Sequence, residues 1–524
     1  MTKTRKLIAL PLLAAQISPL NLFTSLLLGI LRPVSLWSPA CGVPQRSVCF
    51  RTAPWGSPAR RWQYCGAVVC LEAAANLSNG VTMTHQGAGP ESESAQQFVD
   101  AVSPAVFQRV EVFDVPGLRV EKLASWDEIK SFEQAWNELL AASDSQTIFL
   151  TWEWVQAWWR AFGSTRHLVL LTCRDAEGDL VAIVPLQRTW ENIGPGMSGW
   201  MLRLVGDDIG GSENLDWIVR RGREAAAVRA VLDWLEENRS EWDTLELNTV
   251  PAHSPVAAAL RHELAVRRWR LIVHEGVGYF RWLPDNWEAF VASLPRNMRA
   301  QIRSRLRRVQ SRFTLQLRRC ESLEELPECL AHLYSLHTKR WQLRGKSGSF
   351  DLTEKRIFYT EMGKRFLERG WLDFWQLDLD GQTVAVEFGF HHDTIYSFLQ
   401  AGFDPDYAAY SVGRVLRCLI IEELIRRGIR GYDFLGGADE YKQRYGAQRL
   451  TYLSLASARP HSWGAAGLAL RDGADKSKAW LRARLHEKLW AMLKRAYWCL
   501  PGGTKDNTVR SGGSKVPGQI LRNP

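Results

Sequence analysis

The sequence predicts an α/β protein of two successive lobes, each with a mixed central sheet flanked by helices. Three observations carry this. Between Gln382 and Leu435, two alternating apolar runs are followed by a helix and a short strand, the order of a right-handed βαβ unit. Between Asp127 and Asn248 the order reads helix, helix, hairpin, strand, helix, strand. From about Glu275 a similar order returns without obvious sequence identity, which points to a repeated architecture.

Composition sets the bounds. A chain of 524 residues suits two to three domains, and 46% apolar with 23% charged residues is the balance of a soluble globular protein. A formal net charge of +10 favours anionic partners: phosphorylated cofactors, acidic glycans, lipid headgroups or nucleic acid. A basic, well-solvated surface is the plainer reading of the same number. The 24 Trp residues are in large part core material, with stacking on sugar rings as the alternative. Nine Cys show no CxxC pair and no Cys/His set at zinc spacing, so no metal is expected.

Residues 1–109 read as an N-terminal extension, mostly disordered. Lys3, Arg5 and Lys6 precede a largely apolar run that Pro11, Gln16, Pro19 and Asn21 interrupt. A membrane segment, a signal peptide with a poor cleavage site near Cys41, and a true start at Met83 all remain open. The polar stretch after Met83 has the composition of a disordered tail.

The first lobe is expected over 110–274. Asp127 to Ala142 places Phe132, Trp136, Leu139 and Leu140 on one helix face, and Trp152 to Phe162 is a second, Trp-rich helix. Leu168 to Arg174 and Leu180 to Leu186 form a hairpin across Asp175, Glu177 and Gly178. Short strands at 202–205 and 215–219, a helix over 224–238 and a strand over 244–248 complete it.

The second lobe is expected over 275–458. Helices are predicted at 285–293, 295–312, 323–344 and 354–369. In the second of these, Met298, Ile302, Leu306, Val309 and Phe313 form an apolar stripe, while Arg296, Arg299, Arg303, Arg307 and Arg308 face outward. No acidic residue intervenes from Arg296 to Arg319, so this face is either a solvated basic surface or a contact for phosphates or acidic sugars. The alternation of Val384, Val386, Phe388 and Phe390 opens the βαβ unit, whose returning strand is Ile395 to Ala401. Its helix begins at Ser411-Val412-Gly413. There the helix dipole, the free first-turn amides and a Gly that permits close approach suit a phosphate or pyrophosphate. Over 459–524, Trp480 to Leu500 reads as a basic amphipathic helix that docks on the body or lies on an anionic membrane surface, followed by a disordered tail.

The ordered set TWEWVQAWWRAFG (151–163), NMRAQIRSRLRR (297–308), LHTKRW (336–341) and YDFLGGADEYKQRYG (432–446) resembles the GNAT-superfamily branch of CelD-type and FemAB-like proteins, over about Val120 to Ser457. The resemblance implies tandem acyl-CoA N-acyltransferase folds with the active site in the second. It also implies acyl-CoA as donor, held by the strand carrying Gln400 and Ala401 and by the loop Ser411, Val412, Gly413 and Arg414. The loop has fewer glycines than the superfamily usually shows. Lys442, with Tyr441 and Tyr445, matches a lysine placed near the acceptor's phosphates in that branch.

For a base, the sequence offers Asp433, on the strand after the crossover helix, and Glu387, on a central strand; each could instead be an ordinary paired carboxylate. His337, Arg340 and Trp341 share a helix face and line an acceptor pocket or simply pack. The implied activity is transfer of an acyl group, acetyl in the simplest case, to an amine or hydroxyl of an envelope or exopolysaccharide precursor. It implies a cytoplasmic enzyme, with membrane association left open. Two rivals stand: an aminoacyl-tRNA-dependent peptidyltransferase, and a non-catalytic polysaccharide- or synthase-binding protein. No long heptad run supports the tRNA reading, no DNA partner is expected, and no nucleophile elbow or P-loop is present.

Overall fold

The structure is a computed structural model that describes residues 111–484, apart from 116, 208, 343–344, 346–347 and 438–440. The described residues belong to one compact unit. The expectations for residues 1–109, for the helix beyond 484 and for the tail lie outside them.

The first lobe opens with strands β1 (Glu111–Val115) and β2 (Leu118–Leu123), then helices α1 (Glu133–Ala141) and α2 (Trp152–Phe162). Strands β3 (His167–Arg174), β4 (Leu180–Gly194), β5 (Met197–Leu204) and β6 (Ile218–Val219) follow, then α3 (Glu224–Glu237), β7 (Thr244–Pro251) and α4 (Pro255–Val266). The start of α2 is fixed by Thr151, whose hydroxyl accepts from the Trp154 amide at 3.3 Å. Ser254 caps α4 in the same way, with Pro255 at its first position.

A long strand, β8 (Arg270–Trp282), leads to α5 (Trp287–Ser293), the basic helix α6 (Arg296–Gln310) and β9 (Leu315–Arg319). Then come α7 (Leu326–Gln342), α8 (Thr353–Glu368), β10 (Leu372–Leu379), β11 (Gln382–His392) and β12 (Ile395–Phe403). The chain continues through α9 (Val412–Arg426), β13 (Gly431–Gly436), the one-turn α10 (Tyr441–Arg444), β14 (Gln448–Ala458) and α11 (Trp463–Arg484). Two antiparallel strands, a crossover helix and a parallel strand thus occur twice. Strand β5 runs parallel to β7, and β12 parallel to β13.

The two lobes share one sheet, ordered β1-β2-β3-β4-β5-β7-β14-β8-β13-β12-β11-β10-β9. Its centre is an exchange. Strand β8, which follows the first lobe, pairs with β13 of the second; β14, which follows the second lobe, pairs with β7 of the first. Strands β8 and β14 pair with each other from Gln448↔Phe280 to Ala458↔Arg270. The boundary expected near residue 275 falls inside β8. The sequence hid this strand because Gly276 and Gly278 break its apolar pattern. At Gly278 a Cβ would lie 2.4 Å from the Tyr452 ring, so the neighbouring strand's aromatic requires the glycine.

Two other expectations shift. The hairpin after α2 continues well past Leu186, with β4 turning at Pro195-Gly196 into a β5 longer than the predicted 202–205. The single helix predicted over 127–142 begins as a 3-10 turn, Asp127–Phe132, before α1.

Many of the described tryptophans sit inside, while Trp190, Trp282, Trp463 and Trp480 are exposed. Trp136, Trp152, Trp154, Trp158, Trp217, Trp234 and Trp242 are fully buried. Trp154 on α2 joins the lobes edge-on, with its ring 5.1 Å from Phe358 of α8 and 5.5 Å from Phe390 of β11. Beneath the other face of the second lobe's sheet lies a separate core of α5, α6 and α9, including Met298, Ile302, Val309, Leu416, Ile420 and Tyr432. The stripe predicted on α6 is its buried side. Cys173, Cys320, Cys329 and Cys418 are buried and free. No helix among the described residues is long and apolar enough to cross a membrane.

The exchange gives the first prediction. A chain ending at Gly446 lacks β14 and leaves both β7 and β8 as open edges. It is expected to lose both lobes, whereas the full chain unfolds as one body. Far-UV circular dichroism with limited proteolysis checks this, and a resistant, folded fragment spanning β2 to β7 would show that the first lobe stands without β14.

Candidate active site

The parallel pairing of β12 with β13 is short. It runs Ile395↔Gly431, Tyr396↔Tyr432 and Ser397↔Asp433, and then stops. Past that point the strands part, because each carries an irregularity. On β12 the register against β11 slips between Phe398 and Gln400, which leaves Leu399 as an extra residue. On β13 the register against β8 slips between Asp433 and Gly436. Within that second slip Leu435 adopts the left-handed conformation, φ 56°. A branched apolar residue there is strained by about 1–2 kcal/mol, and such residues persist only where their surroundings hold them.

The surroundings are specific. The amides of Leu435 and Gly436 point the same way and each meets a carboxylate oxygen. Leu435 N donates to Asp433 Oδ1 at 2.8 Å, and Gly436 N donates to Glu213 Oε1 at 2.6 Å. Successive amides converging in this way form an anion-binding nest. On the other side of the peptide planes, the buried Lys442 Nζ donates to the carbonyls of Leu435 at 2.9 Å and Gly436 at 2.6 Å. Gly436 is needed for closeness: a Cβ there would lie 2.5 Å from Glu213 Oε1.

Glu213 and its neighbour Asn214 come from the first lobe, on the loop after β5. This loop holds Gly206, Gly210 and Gly211 at positive φ and is pinned by Trp154 Nε1 donating to Ser212 Oγ at 2.9 Å. It reaches the second lobe's parted strands, where Asn214 Nδ2 donates to Asp433 Oδ2 at 3.5 Å. Burial pushes the Asp433 carboxyl up to about 6, against the pull of the Leu435 amide, Lys442 and Asn214. Glu213 is pushed up to about 8, by burial first and then by the charge of Asp433. Sequence reading missed Glu213. The signal was the acidic, glycine-rich GDDIGGSEN, which occupies in the first lobe the place that Asp404–Ser411 occupies in the second.

The start of α9 is the site's cationic end. Ser411 is left-handed, φ 55°, with no side-chain cap, and no acidic residue stands in the first turn. Gln301 Oε1 accepts from both Arg305 at 2.9 Å and Arg414 at 3.3 Å, which gathers two guanidiniums there. Arg308 donates to the Ala409 carbonyl at 3.3 Å and lies 5.1 Å over the Tyr410 ring. Burial and the adjacent Arg414 hold the Arg305 guanidinium below its ordinary value. The corresponding helix of the first lobe, α3, has Glu224 in its first turn, and that side chain already accepts from the Gly222 amide at 3.0 Å. An anion is favoured at α9 and disfavoured at α3.

The remaining expected residues scatter. Glu387 is fully engaged: Oε2 accepts from Arg417 Nε at 3.1 Å and from a second Arg417 nitrogen at 2.8 Å, while Oε1 accepts from Tyr432 at 2.7 Å and Tyr396 at 3.2 Å. It shares a sheet face with Tyr432, whereas Asp433, the next residue, points to the opposite face. Against its expected role as a base, this geometry makes Glu387 the partner of a buried arginine. Tyr441 and Tyr445 lie on the Glu387 side, near Arg417 and Phe434 respectively. Gln400 and Ala401 lie on β12 past the parting, and Arg340 donates to the Ala401 carbonyl at 3.4 Å. His337 is enclosed in α7, accepting from Trp341 Nε1 at 2.7 Å. Burial, then Arg340 and Lys355, lowers its imidazole to about 4, so it is neutral at pH 7. Among the described residues no group of three or more His, Cys, Asp or Glu could hold a metal.

Two parted parallel strands, a cationic helix start at their open end and a buried carboxyl on one of them make up the candidate site. Residues 296–443, from α6 to α10, match the family model described as an acetyltransferase (GNAT) domain. The chain thus carries a stretch that matches the GNAT acetyltransferase domain. No curated protein matches it. Among solved structures it is similar to FemX, with 10% identity and a TM-score of 0.46, over 62% of this chain and 95% of that one. A tandem GNAT protein from the clavulanic acid biosynthesis pathway gives 14% identity and a TM-score of 0.38, over 66% and 100%. L-PGS from Bacillus licheniformis gives 10% and 0.39, over 64% and 96%.

The two kinds of carboxylate separate on substitution. Glu387→Gln leaves Arg417 buried beside a neutral amide and is expected to lower stability by about 3–5 kcal/mol. Asp433 and Glu213 have raised values in the fold, so their contribution is fully present below their ordinary 3.8 and 4.5. It is lost as pH rises through about 6 and about 8. Asp433→Asn and Glu213→Gln therefore flatten the fall of stability toward alkaline pH. Urea unfolding across that range checks both statements; a Glu387→Gln protein as stable as the wild type would refute the ion-pair assignment.

Proposed function

We propose that the second lobe transfers an acyl group, acetyl in the simplest case, from acyl-CoA to an amine of a cell-envelope or exopolysaccharide precursor, with a hydroxyl as the lesser alternative. The observation that carries this reading is the α9 start, where uncapped first-turn amides are ringed by Arg305, Arg308 and Arg414. That place takes the pyrophosphate of the donor. The pantetheine arm then runs along β12 past Gln400 and Ala401, where β13 no longer pairs, and sets the thioester near Asp433.

Asp433 is the base of this mechanism. Its value of about 6 leaves it ionised at neutral pH yet basic enough to take a proton from the attacking amine. Lys442 holds the strained turn that aims Asp433 rather than meeting the acceptor's phosphates directly. The acceptor enters from the side of the first-lobe loop, and Arg340 and Trp341 on α7 border that entrance. Apolar residues left exposed on α11, Trp463, Leu470 and Trp480, support contact of the C-terminal segment with an anionic membrane surface, where envelope precursors reside. The arginine face of α6 also favours a second reading, in which the donor is an aminoacyl-tRNA.

Gly413→Val tests the donor site. A Cβ at 413 meets only Phe403, at 3.6 Å, which is ordinary contact, so the fold accepts the side chain. The valine holds the pyrophosphate off the helix end and is expected to weaken acetyl-CoA binding by roughly 1–3 kcal/mol by calorimetry. Asp433→Asn is expected to lower turnover about 100-fold or more with donor affinity nearly unchanged. Unchanged acetyl-CoA affinity in a folded Gly413→Val protein, or binding of aminoacyl-tRNA alone, would move the donor elsewhere.

A further inference from the structure

We infer that Glu213, contributed by the first lobe, is the general acid that protonates the departing CoA thiolate, while Asp433 takes the proton of the attacking amine. The inference rests on the acyl-CoA reading above and adds a second catalytic carboxyl to it.

Geometry comes first. The two carboxyls are bound by consecutive amides, those of Leu435 and Gly436, and therefore sit side by side at the point where β12 and β13 part. Glu213 uses Oε1 for its amide. Its Oε2 is enclosed and meets no hydrogen-bond partner among the described residues, although the residue as a whole is only half-buried. A buried carboxylate oxygen with no donor is costly, whereas a protonated Oε2 carries an O–H that can donate to a reacting atom. Among the described residues, Lys442, Asn214 and the Tyr452 hydroxyl face the pair, and Lys442 is the cation of this set. Two adjoining buried carboxyls repel when both are charged, which favours a pair that holds one proton. Glu213, with the higher value, keeps it.

The step balances. The amine nitrogen attacks the thioester carbon, the C–S bond breaks, and sulfur takes the proton from Glu213 Oε2. Asp433 takes the proton lost by nitrogen. One proton then passes from Asp433 to Glu213, and the pair returns to its starting state with amide and free CoA as products. No oxidant, reductant or metal enters. The arrangement also gives the first lobe a part in the chemistry. Its own helix start repels phosphate, and it supplies an acid to its neighbour instead.

The test uses the full chain, acetyl-CoA as the probe, and release of free thiol as the readout, with carboxyl infrared spectra recorded over the same pH range. Wild type is expected to show a bell with limbs near 6 and 8, from an ionised Asp433 and a protonated Glu213. It should also show a protonated-carboxyl band that titrates near 8. Glu213→Gln keeps the shape and the Gly436 bond. It should lose that band and the alkaline limb, and at neutral pH should turn over at least about 100-fold more slowly. Glu213→Asp should retain an alkaline limb, which separates chemistry from packing. An alkaline limb that persists in folded Glu213→Gln overturns the acid role while leaving the acyl-CoA reading intact. No thiol release by wild type at any pH, with the band present, overturns the acyl-CoA reading and the acid role together.

Discussion

The pairing of β8 with β14 is the constraint on which the rest depends. Each strand leaves one lobe and completes the sheet of the other, so neither lobe has a finished sheet alone. The exchange fixes the first lobe's β5–β6 loop against the second lobe's parted strands, where Gly211 stands close to Leu399 and Glu213 reaches Gly436. A cross-lobe contact between single side chains needs this: an angstrom of slip would cost a hydrogen bond. The aromatic contact of Trp154 with Phe358 and Phe390 locks the same interface from the opposite side of the loop, through the Trp154 bond to Ser212.

The two lobes repeat an arrangement but differ in charge at equivalent places. Both lobes have a crossover helix starting beside two parallel strands, and either start could in principle receive an anion. In the first lobe Glu224 fills the helix start, and Asp207 and Glu213 populate the loop before it. In the second lobe the same place is bare of acid and approached by arginines from α6. Coulombic interactions of this kind are weak one by one at a surface, yet they act on the same spot and add to the helix dipole. Charge therefore favours an anion at one helix start rather than at two.

The βαβ unit and the arginine face were legible in the sequence because both are local patterns: alternation, a helical stripe, an unbroken run of one charge. So was the repeat of element order. The exchange was not, since β8 carries two glycines, and the reason for Gly278 is Tyr452, far along the chain. Asp433 and Glu387 looked alike as strand carboxylates. Register separates them, because Glu387 pairs across from Ala401 while Asp433 pairs across from Ser397, and neighbouring residues of a strand face opposite ways. Glu213 was missed for a different reason. Its partners lie in the other lobe, and no local spacing rule connects a loop to a strand end in another lobe.

The strained Leu435 shows how the site holds itself together. Its left-handed backbone turns two amides to one side and two carbonyls to the other. Either set alone would be a poor buried neighbour. Two carboxyls beside the amides repel each other and lose water; an ammonium beside the carbonyls loses water too. Together they form a closed set, in which Lys442 offsets the carboxyl charge through the intervening Leu435–Gly436 peptide, whose carbonyl and amide are both hydrogen-bonded. The fold thus keeps a strained residue, a buried lysine and two raised carboxyls because each removes the cost of another. Replacing any one exposes the rest, and the set lies where the two lobes and the parted strands meet.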